Sequence, residues 1–417
     1  MKNRDKSSIF SSPRKGQNNL NRRKLLTGSA VAAAFTIIKP SMVYSFEANS
    51  RIEAGFVGLG GRGSLIAKMI MDNHKGYQIT ALADYFEQVV QEAGKRLNVP
   101  NNRCFSGLFS YKKVIANKVD AIFLETPPCF FPEHAAAAVN ANINVYMAKP
   151  VAIDVPGSLV IGKLGKKATK CKLVFLVDFQ VPTEPFNIET VKRCHDGLIG
   201  KIGMLCSFYT DEAFPDPPKT KTIESRLRHL IWVNDIELGG GFLVNAGIHA
   251  VDAALWMAGA HPISATGSSR TVRDNPHGDT ADVYSITYDF ENGLLQNHRG
   301  EHLKNTHGFT CNCIAYGQHG FAEIGYQGKA WLRGNKGGYR GGEVKNLYIN
   351  GITRNLHRFE ENIRQQHYDN PTVRPSVNST LATVLGHEAG KRNTLITWDQ
   401  IIAEKRRIEP DLTGLKQ

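Results

Sequence analysis

The chain has 417 residues, of which 41% are hydrophobic and 21% charged, the balance of a soluble globular protein with room for two domains. Its formal charge of +13 is concentrated at the front: residues 1–48 carry nine Lys/Arg against Asp5 and Glu47, leaving +6 for the rest. A remainder of that size with no basic run argues against a nucleic-acid groove.

Residues 1–48 read as an export segment. Asn21-Arg22-Arg23-Lys24-Leu25-Leu26 is a twin-arginine pattern, with Asn21 and Leu25 where Ser/Thr and Phe usually stand. The apolar stretch Leu25–Ile38 that follows is shorter than the roughly 18–20 residues of a spanning helix. The expectation is a periplasmic or extracytoplasmic protein, exported folded and without a stable membrane span; a general secretory signal is the alternative. The seven cysteines are odd in number and lack paired spacing, so neither a disulfide framework nor a metal site is expected.

Residues 49–172 read as a dinucleotide-binding domain. Ile52–Val57 is a short apolar run suited to a buried parallel strand. The turn Gly58-Leu59-Gly60-Gly61-Arg62-Gly63 follows, and Ser64–Asn73 then reads as a helix. Such a turn permits a tight reversal, close approach of a pyrophosphate and packing of helix on strand, which makes Gly58, Gly60, Gly61, Arg62 and Gly63 candidate cofactor contacts. A second strand, Tyr77–Ala83, ends at Asp84. A carboxylate at that spacing binds a ribose diol and repels a 2′-phosphate, favouring NAD over NADP; capping of the next helix is its structural alternative. A third run, Asp120–Leu124, leads into Thr126 and Pro127, placed to touch the nicotinamide side, with His134 opening the next helix as a further cofactor candidate. After the strand Ile143–Met147 come Ala148-Lys149-Pro150. Pro150 holds Lys149 extended at the ligand-binding edge of the sheet. Alternating strands and helices of this kind make an α/β, doubly wound parallel sheet.

The order of glycine turn, acidic second strand, Thr-Pro loop and Lys-Pro strand end resembles the glucose–fructose oxidoreductase / inositol dehydrogenase / rhizopine-catabolism (Gfo/Idh/MocA) family. Asp178-Phe179-Gln180 and the run from Gly239 through Asn245 and His249 to Asp252 extend the resemblance over about residues 50–410. It implies a Rossmann domain followed by an α+β domain, residues 173–350, with an open, mostly antiparallel sheet. That second domain would serve substrate binding and assembly into a dimer or tetramer. Residues 351–417 would be helices returning to the first domain. It also implies hydride transfer between a sugar or polyol carbon and a nicotinamide cofactor, with Lys149 at the reacting hydroxyl as cofactor and substrate contact, and with Asn245 and His249 completing the catalytic set. Asn245 and His249 lie four apart, on one face of a helix. Gln180, Arg228 and Trp232 are further substrate-binding candidates. The chain departs from the family at Ala148, where Glu is usual, and at Asn245, where Asp is common, so Lys149 is the favoured proton acceptor and His249 a second acid/base.

An exported enzyme that released NADH would stall for want of fresh NAD. The expectation is therefore an NAD(P)-dependent sugar or polyol oxidoreductase with a tightly held cofactor. The alternatives are a redox-neutral NAD-dependent glycosidase acting on a glycoside by oxidation, elimination, hydration and reduction, or a catalytically dead sugar sensor.

Overall fold

The computed structural model describes residues 51–417; the export segment lies outside them. Six strands, β1 (Ile52–Val57), β2 (Tyr77–Asp84), β3 (Cys104–Ser106), β4 (Ala121–Leu124), β5 (Asn144–Ala148) and β6 (Phe175–Asp178), form one sheet in the order β3-β2-β1-β4-β5-β6. Every pairing in it is parallel. The central strands β1, β4 and β5 are buried along almost their whole length, as a sheet covered on both faces requires. The chain order reverses between β1 and β4, and there the C-terminal strand ends open a crevice for ligand.

The sheet runs past the boundary expected at residue 172. β6 is its outer strand, paired with β5 from Val145↔Phe175 to Ala148↔Asp178. The stretch 171–207 also contains a helix, Pro185–His195. An apolar run of four residues does not announce which sheet it joins.

Nine further strands form the second sheet: β7 (Ile202–Thr210), β8 (Ser264–Arg270), β9 (Val283–Asp289), β10 (Leu295–Glu301), β11 (Thr310–Gly317), β12 (Gly320–Gly325), β13 (Gly328–Gly334), β14 (Gly337–Val344) and β15 (Ile396–Thr397). Their order is β14-β13-β12-β11-β7-β10-β9-β8-β15, antiparallel except for β7 beside β10. Strands such as β9 and β11 alternate buried and less buried residues, so one face carries the core. The helix Ile248–Ala258 packs on that face at β7 and β11, and Val373–Arg392 at β8 and β9. The apolar stretch Ile236–Ala258, long enough to cross a membrane, is wholly buried in this packing. Helix Leu347–Gln365 turns Ile352, Leu356, Phe359 and Ile363 onto the core of the parallel sheet, joining Phe56, Phe123 and Tyr146. All seven cysteines are unpaired.

Candidate active site

Register brings the site together. Val57 lies beside both Ala83 and Leu124, Leu124 beside Met147, and Ala148 beside Asp178, so Gly58, Asp84, Glu125, Lys149 and Asp178 emerge along one edge.

The glycine turn is a cradle of backbone. Gly58 has φ +94°, and a Cβ there would lie 2.6 Å from the Glu125 carbonyl carbon. A Cβ on Gly63 would come within 2.0 Å of the Gly58 oxygen, so this helix start packs against the strand end only as glycine. Gly60 and Gly61 face open space instead, with nothing within 4 Å of a built Cβ. They open the helix Gly61–Asn73, which has no side-chain cap and no acidic residue in its first turn. Uncapped N–H groups at a helix N-terminus beside vacant space fit a pyrophosphate.

Asp84 closes β2 at the same edge of the sheet. Its Oδ2 accepts from the Leu59 N–H at 2.7 Å and its Oδ1 from the Phe86 N–H at 2.9 Å. The carboxylate thus ties two loops together and retains lone pairs for a diol. Burial raises its pKa, and those two backbone bonds and Arg228 oppose the rise. Thr126 follows β4, and its Oγ1 lies 3.5 Å from His134 Nδ1. His134 itself is buried, stacked near Tyr111 and Phe130, and burial lowers its pKa to about 3. It therefore braces Thr126 from behind as a neutral ring.

At the other side of the crevice the chain gathers charge. Lys149, half-buried, donates from Nζ to the main-chain oxygen of Asn245 at 2.6 Å. Burial, reinforced by Arg62, lowers its pKa to about 7, with Asp178 opposing. Arg62 crosses from the glycine turn to ion-pair with Asp178 and, at 3.2 Å, with Glu125. Neither Glu125 oxygen has a hydrogen-bond partner of good geometry, and burial raises its pKa to about 8 against the pull of Arg62. Asp178 also accepts from Gln180 Nε2 at 2.8 Å and Asn355 Nδ2 at 2.6 Å. Lys149 and Glu125 thus both titrate near neutrality, where proton transfer is most effective.

Asn245 lies in a π-helical turn, Leu243–Gly247, and His249 in the α-helix that continues from it. His249 is ringed by Phe179, Tyr209 and Tyr326, with centroids 5.9, 6.3 and 5.2 Å away. Burial, then Lys149 and Arg62, hold its pKa well below the usual histidine range, so it is a neutral imidazole. Its Nδ1 and the Nδ2 of Asn245 are buried without hydrogen-bond partners. Unpaired polar atoms beside a lysine fit a hydroxylated ligand that supplies the missing bonds. Asp252, one turn on, accepts from Ser379 at 2.6 Å and is pushed up to about 7 by burial.

Of the three further residues expected at the substrate, Gln180 adjoins the cluster and Trp232 and Arg228 pack on other partners. Gln180 is spent on structure: its Nε2 donates to Asp178 and its Oε1 accepts from Tyr326 at 2.6 Å. Trp232 packs among Ile223, Leu238 and Leu415. The Arg228 guanidinium stacks on Phe86 at 3.6 Å, beside Asp84. Glu125 and Arg62's link to Asp178 were not foreseen. The signal was a carboxylate at the C-terminal end of each of two parallel strands.

A parallel sheet with an uncapped glycine-rich helix start, an acidic second strand and a half-buried lysine across the switch point defines a dinucleotide-binding oxidoreductase. Residues 52–175 match the family model "Oxidoreductase family, NAD-binding Rossmann fold" and residues 189–323 the "GFO/IDH/MocA C-terminal domain". The chain belongs to the Gfo/Idh/MocA family, and its cofactor is NAD. It is similar to an inositol 2-dehydrogenase of Rhizobium meliloti, 23% identical over 57% of this chain and 64% of that protein. The match therefore spans less than two thirds of that relative. The rhizopine catabolism protein MocA of Rhizobium meliloti is also 23% identical, over 66% of this chain and 78% of its own length. The fold matches scyllo-inositol dehydrogenase from Lactobacillus casei, solved with NAD(H) and scyllo-inositol, at TM-score 0.67 and 17% identity over 84% of this chain and 100% of that one. It also matches an aldose–aldose oxidoreductase from Caulobacter crescentus, solved with glycerol, at TM-score 0.67 and 18% identity over 83% and 99%.

Proposed function

We propose that this protein oxidises a secondary hydroxyl of a sugar or polyol on an NAD that it keeps between turnovers, and works outside the cytoplasm. The observation that carries this reading is Lys149, fixed by its bond to the Asn245 carbonyl and softened to a pKa of about 7 by burial. Bound NAD supplies the hydride acceptor. The glycine cradle and Asp84 hold and orient that cofactor. Lys149, as the neutral amine, accepts the hydroxyl proton, and Glu125, charged above about pH 8, strengthens it as a base. Neutral His249 and the Asn245 amide hold the sugar's remaining hydroxyls through the atoms that lack partners.

Relatives that act on inositol and aldoses support the substrate class, and the twin-arginine pattern supports export with the cofactor retained. A homo-oligomer is also proposed. Met204, Leu295 and Tyr316 adjoin one another across β10, β7 and β11, and each is more than a third exposed. Such a patch suits a partner copy; sedimentation of Met204→Asp against the native chain reads the difference.

The direct test mixes NAD-loaded protein with a panel of polyols and aldoses and follows the absorbance of reduced nicotinamide. Reduction of the bound cofactor by one of them supports the reading. A loaded protein that no member reduces argues against it, and release of aglycone from a glycoside without net NADH would point to the redox-neutral glycosidase instead.

A further inference from the structure

The ribose end of the crevice has an outer wall that the nucleotide domain does not supply. Tyr85 and Phe86 follow β2, and Gly107 and Leu108 follow β3, both beside Asp84. Two segments from elsewhere in the chain close on these loops. The first is the loop 212–235. Its Arg226 is fully buried and bonds Asp235 at 2.7 Å and Asp216 at 2.8 Å, which fixes the loop's path. Two residues on, Arg228 lays its guanidinium on the Phe86 ring and biases Asp84 toward its charged form.

The second is the segment 405–417. It is anchored early, where Arg406 pairs with Glu388 at 3.0 Å and the Ile408 N–H donates to Asp154 at 2.9 Å. It turns at Gly414, φ +78°, against Thr222. Leu415, 8% exposed, then packs with Ile223 and Leu238, against Tyr85, Leu108 and Trp232. The Lys416 N–H donates to the Tyr85 hydroxyl at 3.1 Å, and its carbonyl accepts from the Leu108 N–H at 2.9 Å. The two segments are thus pinned to each other and, together, to both loops beside Asp84.

We propose that Arg228 and the Leu415–Lys416 strap are the outer wall of the cofactor's adenosine end, and that they set how slowly bound NAD leaves. The proposal rests on the reading that the chain retains its NAD, and it gives that retention a structural cause. The guanidinium plane offers a stacking surface and positive charge at the dinucleotide's edge. The strap must unseat an apolar side chain and two main-chain hydrogen bonds before the loops can part. It also explains why Trp232 is not free to meet a sugar: it is a support of the strap.

The test is an isotope chase on the full chain. Native protein, Leu415→Asp and Arg228→Ala are loaded with isotope-labelled NAD, diluted into excess unlabelled NAD, and sampled for retained label by mass spectrometry. Both variants are expected to lose label about tenfold or more faster than native, since changes at a binding wall act mainly on release. Arg228 is exposed, so its substitution reports the wall even where Leu415→Asp disturbs folding. Equal release by native and Arg228→Ala, with label bound by both, overturns the wall alone. Native protein that is isolated without NAD and also takes up no labelled NAD, or that loses bound label at once on dilution, overturns the retained-cofactor reading beneath it.

Discussion

The glycine turn and the Lys149 cluster share one sheet edge but are built by opposite means. At the turn the chain offers main-chain donors and vacant space, and the atoms that shape it belong to glycines. Around Lys149 it offers buried titratable side chains from β4, β5, β6 and the second domain, several with unpaired atoms. The first arrangement recognises a constant part, a dinucleotide, and needs no tuning. In the proposed reaction the second holds groups whose charge changes, and burial is what brings Lys149 and Glu125 to near-neutral pKa values.

The largest effect is expected at Lys149. Lys149→Met should lower sugar-dependent reduction of bound NAD by about 10²–10⁴, the usual worth of a positioned base, while leaving NAD content unchanged. Next comes the cradle. A side chain at Gly60 meets no protein atom, so Gly60→Val should fold with an unchanged melting temperature in the absence of NAD yet bind NAD at least about tenfold more weakly in calorimetry. If binding is unaffected, the vacant space is not the pyrophosphate site.

The smaller effects sharpen the contrast through pH. Native oxidation should rise through pH about 7 as Lys149 loses its proton, and that limb should vanish in Lys149→Met. Glu125 has a folded pKa raised above its unfolded value, to about 8. Its neutral form therefore favours the fold at low pH, and that stability is lost as pH rises through about 8. Glu125→Gln, which stays neutral, should melt increasingly above the native protein as pH rises from about 5 to about 8, with a level difference beyond that. Asn245→Asp should have the smallest effect on turnover, less than about tenfold, because Lys149 is held by the main-chain oxygen at 245 and not by its side chain.

What the sequence made legible follows the same division. The turn, Asp84, the Lys-Pro strand end and the Asn245–His249 pair were readable because each is a local pattern with a fixed spacing, and the parallel sheet follows from strands alternating with helices. Glu125, Asp178 and Arg62 were not readable as a cluster, since 116 residues separate Arg62 from Asp178 and only strand order makes them neighbours. β6 was assigned to the wrong side of the domain boundary for the same reason. Gln180, Arg228 and Trp232 were expected at the substrate because they lie near the right motifs; the structure uses them to hold Asp178, to cover Phe86 and to support Leu415.

In the proposed reaction Lys149 drives oxidation of a sugar or polyol on retained NAD. The most direct measurement is a single-turnover mix of NAD-loaded native protein and Lys149→Met with a panel of aldoses, inositols and linear polyols, read by the absorbance of reduced nicotinamide. Native protein is expected to show near-stoichiometric reduction by at least one compound, and the variant essentially none. Bound NAD that no compound reduces, or reduction in Lys149→Met at the native rate, would contradict it.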